Sequence, residues 1–134
     1  TNGGTTWSIG STGRTNSSDI SCIEPTSCWV SGNGSQYGVA KTTNGTSWSS
    51  LGGEWDFTSI SVSPDGNNVW TGAANGYAVT SSNGGVTFTA KYLGPYTNLF
   101  NIQYVTTSSG YTLGLGGGNK QLIKTTDGYD LYPV

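Results

Sequence analysis

Residues 39–48 read VAKTTNGTSW. An apolar start runs through threonines into an Asn-Gly pair, and a tryptophan closes the phrase. Asparagine tolerates left-handed backbone and bonds its side chain to nearby backbone N–H groups. The glycine after it supplies the positive φ of a tight hairpin turn. The phrase recurs as TNGGTTW at 1–7, SSNGGVTF at 81–88 and TTDGYDLY at 125–132. Its anchors are Asn2, Asn44, Asn83 and Asp127, at steps of 42, 39 and 44 residues. The aromatic that ends each copy is Trp7, Trp48, Phe88 or Tyr132. The phrase therefore reads as a fastener for an outer hairpin, with its aromatic turned back as an anchor.

A stricter element accompanies it. ISCIEPTSCWVSG (20–32), ISVSPDGNNVWTG (60–72) and IQYVTTSSGYTLG (102–114) each place Gly 12 positions after Ile. Each unit then reads as four short strands. Strand A holds Ile20, Ile60 or Ile102, and strand B ends at Gly32, Gly72 or Gly114. Strand C enters the turn, and strand D leaves it. Repeats of this length announce a repeat architecture. Three units are complete, and the boundaries read as 1–18 (partial), 19–56, 57–98 and 99–134, within one module of 134 residues. Measured from the closing glycine, Trp29 and Trp70 fall out of step and are expected on opposite faces.

Composition agrees with an all-β fold. Val, Ile, Trp and Tyr fill the apolar positions, and such residues favour strands. There are 22 glycines, and charged residues are 9% with a net charge of −2. Five Lys and Arg in 134 residues form no basic stripe of the kind a nucleic-acid binder carries. No run is long and apolar enough to span a membrane as a helix. The polar, low-charge composition points to a secreted, extracellular protein, and the Thr at position 1 to a mature or excised form. Cys22 and Cys28 form a C-x5-C pair in a chain without histidine, which disfavours zinc. In a secreted setting they read as a disulfide, the alternative being two free, half-buried thiols. No cofactor or metal is expected.

The phrase S/T-x-[D/N]-x-G-x-[T/S]-[W/F], together with ISC…CWVSG…VAKTTNGTSW, resembles the Asp-box (BNR) repeat of β-propellers. It is similar to the extracellular propellers related to photosystem II assembly factors and to sialidase-type repeats. The resemblance covers nearly the whole chain. It implies about three four-stranded blades plus one extra N-terminal strand. This sequence departs from the pattern with Asn for Asp in three boxes, a residue fewer before Trp48 and a worn last box. A β-trefoil is the alternative, since it also has three four-strand units. A propeller holds about four to eight blades, so a homo-oligomer or the remainder of a longer chain is expected. The leading strand (4–9) is expected to pair with strand C of a different unit, burying Trp7.

Chemistry is sparse. Arg14 is the single arginine, which excludes the arginine cluster of a sialidase, and no His-dependent triad is available. Paired-carboxylate glycoside hydrolysis finds only weak candidates, Glu54 and Asp56 around Trp55, so the chain reads as more lectin than enzyme; a fragment of a larger glycosidase is a further alternative. The resemblance places D–A and B–C connections on the face where propeller ligands sit. Those loops hold Arg14, Glu54, Trp55, Asp56, Tyr96, Tyr37, Asn75 and Tyr77. Rings beside amides and carboxylates suit neutral carbohydrate. The rival reading makes Tyr37 and Tyr77 packing residues between blades, or the whole chain an assembly module that completes a propeller with others. Asn16, Asn33 and Asn44 open N-x-S/T sequons, as is frequent by chance in so polar a chain.

Overall fold

Turn residues punctuate β-branched and aromatic runs along the whole chain, and the runs become strands. The computed structural model describes residues 4–6, 10–12, 16–33, 38–52, 55–95, 98–116, 119–127 and 132–134. Among these lie twelve strands in three antiparallel sheets. Sheet 1 is β1 (Asn16–Glu24), β2 (Ser27–Asn33), β3 (Gly38–Thr42) and β4 (Trp48–Gly52). Sheet 2 is β5 (Phe57–Val62), β6 (Val69–Ala73), β7 (Tyr77–Ser81) and β8 (Thr89–Tyr92). Sheet 3 is β9 (Asn98–Tyr104), β10 (Gly110–Gly116), β11 (Asn119–Thr125) and β12 (Tyr132–Pro133). Each sheet keeps sequence order, so each is a simple up-and-down meander. A trefoil would pool strands of all three units in one barrel, and these separate sheets exclude it. The expected leading strand and Trp7 fall largely outside the described residues; Gly4, Thr5 and Thr6 form a turn and bend.

The sheets stack face to face. Strand β5 packs on β1 and β2, and β9 packs on β5 and β6. Two apolar layers fill the gaps. The first joins Trp29 and Val39 of sheet 1 to Phe57, Ile60, Val62, Val69, Ala73 and Val79 of sheet 2. The second joins Trp70 and Ala78 of sheet 2 to Leu99, Ile102, Tyr104 and Ile123 of sheet 3. Burying a large side chain of this kind contributes ~1.5–3 kcal/mol, so these layers carry the fold. Burial pushes the Tyr104 phenol above its ordinary value, helped by the Asp127 and Asp65 carboxylates.

Side-chain oxygens on the first strands of sheets 1 and 2 stitch the layers together. Ser21 Oγ accepts the Val62 N–H at 3.1 Å, and Ser61 Oγ accepts the Tyr104 N–H at 2.9 Å. Asp19 Oδ2 accepts the Ile60 N–H at 3.0 Å. Register shifts at Ser18 and Thr58 re-aim two more hydroxyls, as β-bulges do. Ser18 then donates to the Phe57 carbonyl at 2.7 Å and Thr58 to the Leu99 carbonyl at 2.5 Å. Gly72 lies so close that a Cβ there would meet the Leu99 carbonyl oxygen at 2.5 Å.

One expectation is corrected. Trp29 pairs with Ser21, and Trp70 pairs with Ser61. The two tryptophans are equivalent, and both point to the following sheet. Trp29 follows its partner Ser21 by 8 positions and Trp70 follows Ser61 by 9, which cancels the offset counted from the glycines.

Cys22 and Cys28 are cross-strand partners joined by a disulfide, at the β1–β2 turn. The hairpin turns are built on their Asn residues. Asn44 Oδ1 accepts N–H groups of Thr46 (3.0 Å) and Ser47 (2.8 Å). Asn83 Oδ1 accepts the Thr87 N–H at 2.9 Å. Thr125 donates to Asp127 Oδ1 at 3.0 Å in the third. Gly45 (φ 74) and Gly84 (φ 70) supply the left-handed step. The aromatics anchor less than expected: Trp48 and Phe88 are half-buried and Tyr132 is exposed, and of these Phe88 lies against the first apolar layer. Asn2 lies outside the described residues.

Candidate binding face

Antiparallel meanders put alternate connections at the same end. The β2–β3 and β4–β5 connections therefore share an end with β6–β7 and β8–β9. On sheet 2 that end carries a strip of three rings. Trp55 sits in the β4–β5 connection, Tyr77 opens β7 and Tyr92 closes β8. Tyr77 and Tyr92 are register partners, which brings their rings to 5.2 Å at 54°. Trp55 stands 5.0 Å from Tyr77 at 41°. Offset, tilted rings at such spacing attract each other. Trp55 and Tyr77 are half-buried against the first apolar layer, while Tyr92 is exposed.

The strip is held from below and beside. Asn75 (φ 61) and Gly76 (φ 76) make the tight left-handed turn that swings Tyr77 into β7. The Leu93 N–H bonds the Gly76 carbonyl at 2.9 Å, tying the end of β8 to that turn. The Asn75 and Asp56 side chains stay exposed. The surface is thus an aromatic floor, with exposed Asp56 next to Trp55 in the chain and exposed Asn75 two residues before Tyr77.

Of the residues that the sequence marks for binding, Trp55, Asp56, Asn75 and Tyr77 come to this one end of sheet 2. Arg14, Tyr37, Glu54 and Tyr96 lie outside the described residues, so the Glu54–Asp56 pair has no geometry to report. Tyr92 is an addition. Its signal was its place directly before Leu93-Gly94 at the end of a strand D, opposite Tyr77. Among the described residues no group of acids and cysteines is arranged to hold a metal ion. The Asp65 carboxyl serves its own turn: the Ser63 hydroxyl and the Asn67 amide hold it below the usual carboxylate value.

No protein-family model and no curated protein matches the sequence. Solved structures do. YCF48 bound to D1 peptide superposes with a TM-score of 0.69 at 17% identity, over 88% of this chain and 39% of that one. YCF48 from Cyanidioschyzon merolae gives 0.66 at 18% identity, over 88% of this chain and 36% of the other. Both are β-propellers. The three sheets here are β-propeller blades. At such identity the likeness shows the fold alone. The chain spans 39% or less of the length of these two structures. No helix among the described residues is long and apolar enough to cross a membrane.

Proposed function

We propose that this chain is a non-catalytic propeller module that recognises a polypeptide segment of a partner protein over the Trp55–Tyr77–Tyr92 strip. The carrying observation is the strip itself: three contiguous rings at one blade end, with the outermost exposed. Aromatic anchors dominate protein-recognition energetics because they bury large area at little entropic cost. The likeness to YCF48 bound to D1 peptide favours a peptide ligand in an assembly role. Scarcity of chemistry supports the non-catalytic part. The hairpin turns, with Asn44 and Asn83 accepting backbone N–H groups, fit Asp-boxes in which Asn replaces Asp. The disulfide favours an oxidising, extracellular compartment.

A second reading is neutral carbohydrate, as a lectin. It is favoured by the exposed Asn75 amide and Asp56 carboxylate beside the rings, which suit hydroxyl groups while a ring takes the C–H face. Parallel screening on peptide and glycan arrays separates the two. The peptide reading expects peptide signal that falls at least about tenfold in Tyr92→Ala, as for loss of an anchoring ring. Glycan signal alone, lost in the same variant, transfers the function to the second reading. A ligand whose binding is unchanged in both Tyr92→Ala and Trp55→Ala removes the strip from either account.

A further inference from the structure

Both internal blade interfaces follow one rule. A ring on the second strand (Trp29, Trp70) and a small aliphatic on the third (Val39, Ala78) face the next blade. There they meet an isoleucine of its first strand, Ile60 or Ile102. All are sealed: Trp29 is 1% exposed, Trp70 0%, Ile60 2% and Ile102 6%.

The two ends of the stack carry the two halves of the same rule. On blade 3, Tyr111 pairs with Gln103 as Trp70 pairs with Ser61, so Tyr111 holds the ring position. Leu122 pairs with Leu113 and holds the aliphatic position of Ala78. On blade 1, Ile20 holds the isoleucine position. Here the same positions are open: Tyr111 is 41% exposed, Leu122 43% and Ile20 55%. Gln103 stands where Ser21 and Ser61 accept an N–H from the next blade. The matching N–H, two residues beyond the isoleucine, is that of Cys22.

We propose that the outer face of blade 3 takes blade 1 of a second copy of this chain, head to tail, with Tyr111 and Leu122 covering Ile20 and Gln103 accepting the Cys22 N–H. The occupant follows from continuity with the two existing interfaces, since a copy of this chain carries the required isoleucine, exposed and in register. Copy number follows from closure. A heterologous contact ends only in a ring or a filament, and propeller rings hold about four to eight blades. The described residues of one copy form three blades. Two copies of these three blades make six, inside that range, and three copies make nine, outside it. This inference concerns the stacking faces and stands apart from the ligand read at the aromatic strip.

Sedimentation equilibrium of the 134-residue chain, with Ile20→Asp and Leu122→Asp, tests it. Both substitutions are at exposed positions of the single copy, and far-UV circular dichroism checks that the sheets remain. The expected result is a mass twice 13.9 kDa for the parent chain and self-association weakened at least about tenfold in each variant, because each buries an unpaired carboxylate. A parent chain that stays at the single-copy mass up to about 100 μM, a concentration at which even weak association shows, overturns the proposal. So does a two-copy species that survives either substitution, since an interface using one end alone, or neither, is then in place. Peptide or glycan binding by the strip is read separately and is unaffected by either outcome.

Discussion

At the scale of single residues, close approach and turn chemistry govern the consequences. Gly72 faces the Leu99 carbonyl with no room for a methyl group. Gly72→Ala should therefore push blades 2 and 3 apart and cost about 1–3 kcal/mol, as overpacking does; urea denaturation measures it. Asn83 accepts one backbone N–H and donates to Thr87 Oγ1 at 2.8 Å. Asn83→Ala should cost about 1 kcal/mol, a typical net hydrogen-bond contribution, with the sheet itself unchanged by circular dichroism. Asp65 has its pKa lowered on folding from 3.8 by Ser63 and Asn67. Its contribution is thus fully present above pH 3.8 and is lost as pH falls through the lower folded value. Because the group is solvent-exposed, the effect is small, and Asp65→Asn should flatten that part of the acid stability profile.

Elements behave according to how their ends are tied. The β1–β2 hairpin is closed by the Cys22–Cys28 bridge next to a short turn. Such a short loop loses little unfolded-state entropy on crosslinking, so the bond contributes less than the ~3 kcal/mol of a 15-residue loop. The double variant Cys22→Ser, Cys28→Ser should still fold, with a denaturation midpoint lowered by no more than that allows. Other contacts also tie blade 1 down, one to the β7–β8 turn of blade 2 and one within its own sheet. Trp29 donates its indole N–H to the Gly84 carbonyl at 3.1 Å, and the Lys41 ammonium lies 4.3 Å above the ring. At the far end β12 is short and includes Pro133, which has no N–H for a ladder and suits an edge.

The whole molecule is a stack in which each blade touches its neighbour, and stability in such stacks is a sum of blade and interface terms. Trp70 lies at the interface of blades 2 and 3. Trp70→Ala should cost about 3–5 kcal/mol and raise hydrogen exchange in blades 2 and 3 well before blade 1. Uniform loss of protection in all three blades contradicts this nearest-neighbour account.

Much of this architecture is written locally. A turn needs Asn-Gly at one spot, and a strand needs its apolar residues close by, so the four-strand unit and its three copies were legible from spacing, whereas Cys22–Cys28 was read as a bridge from the expected secreted setting, with free thiols as the alternative. Trp55 and Tyr77 were legible as loop-end aromatics for the same reason. Which way a side chain faces was not. Trp29 and Trp70 differ by one residue when counted from Gly32 and Gly72, yet one residue more between Ser61 and Trp70 than between Ser21 and Trp29 restores their equivalence. A one-residue slip inverts every face of a strand, and only cross-strand pairing reveals it. Tyr92 joins the ring strip through its register with Tyr77, again a tertiary fact. Exposure at Ile20, Tyr111 and Leu122 is decided at the largest distance of all, because identical positions are sealed or open according to whether another blade stands against them.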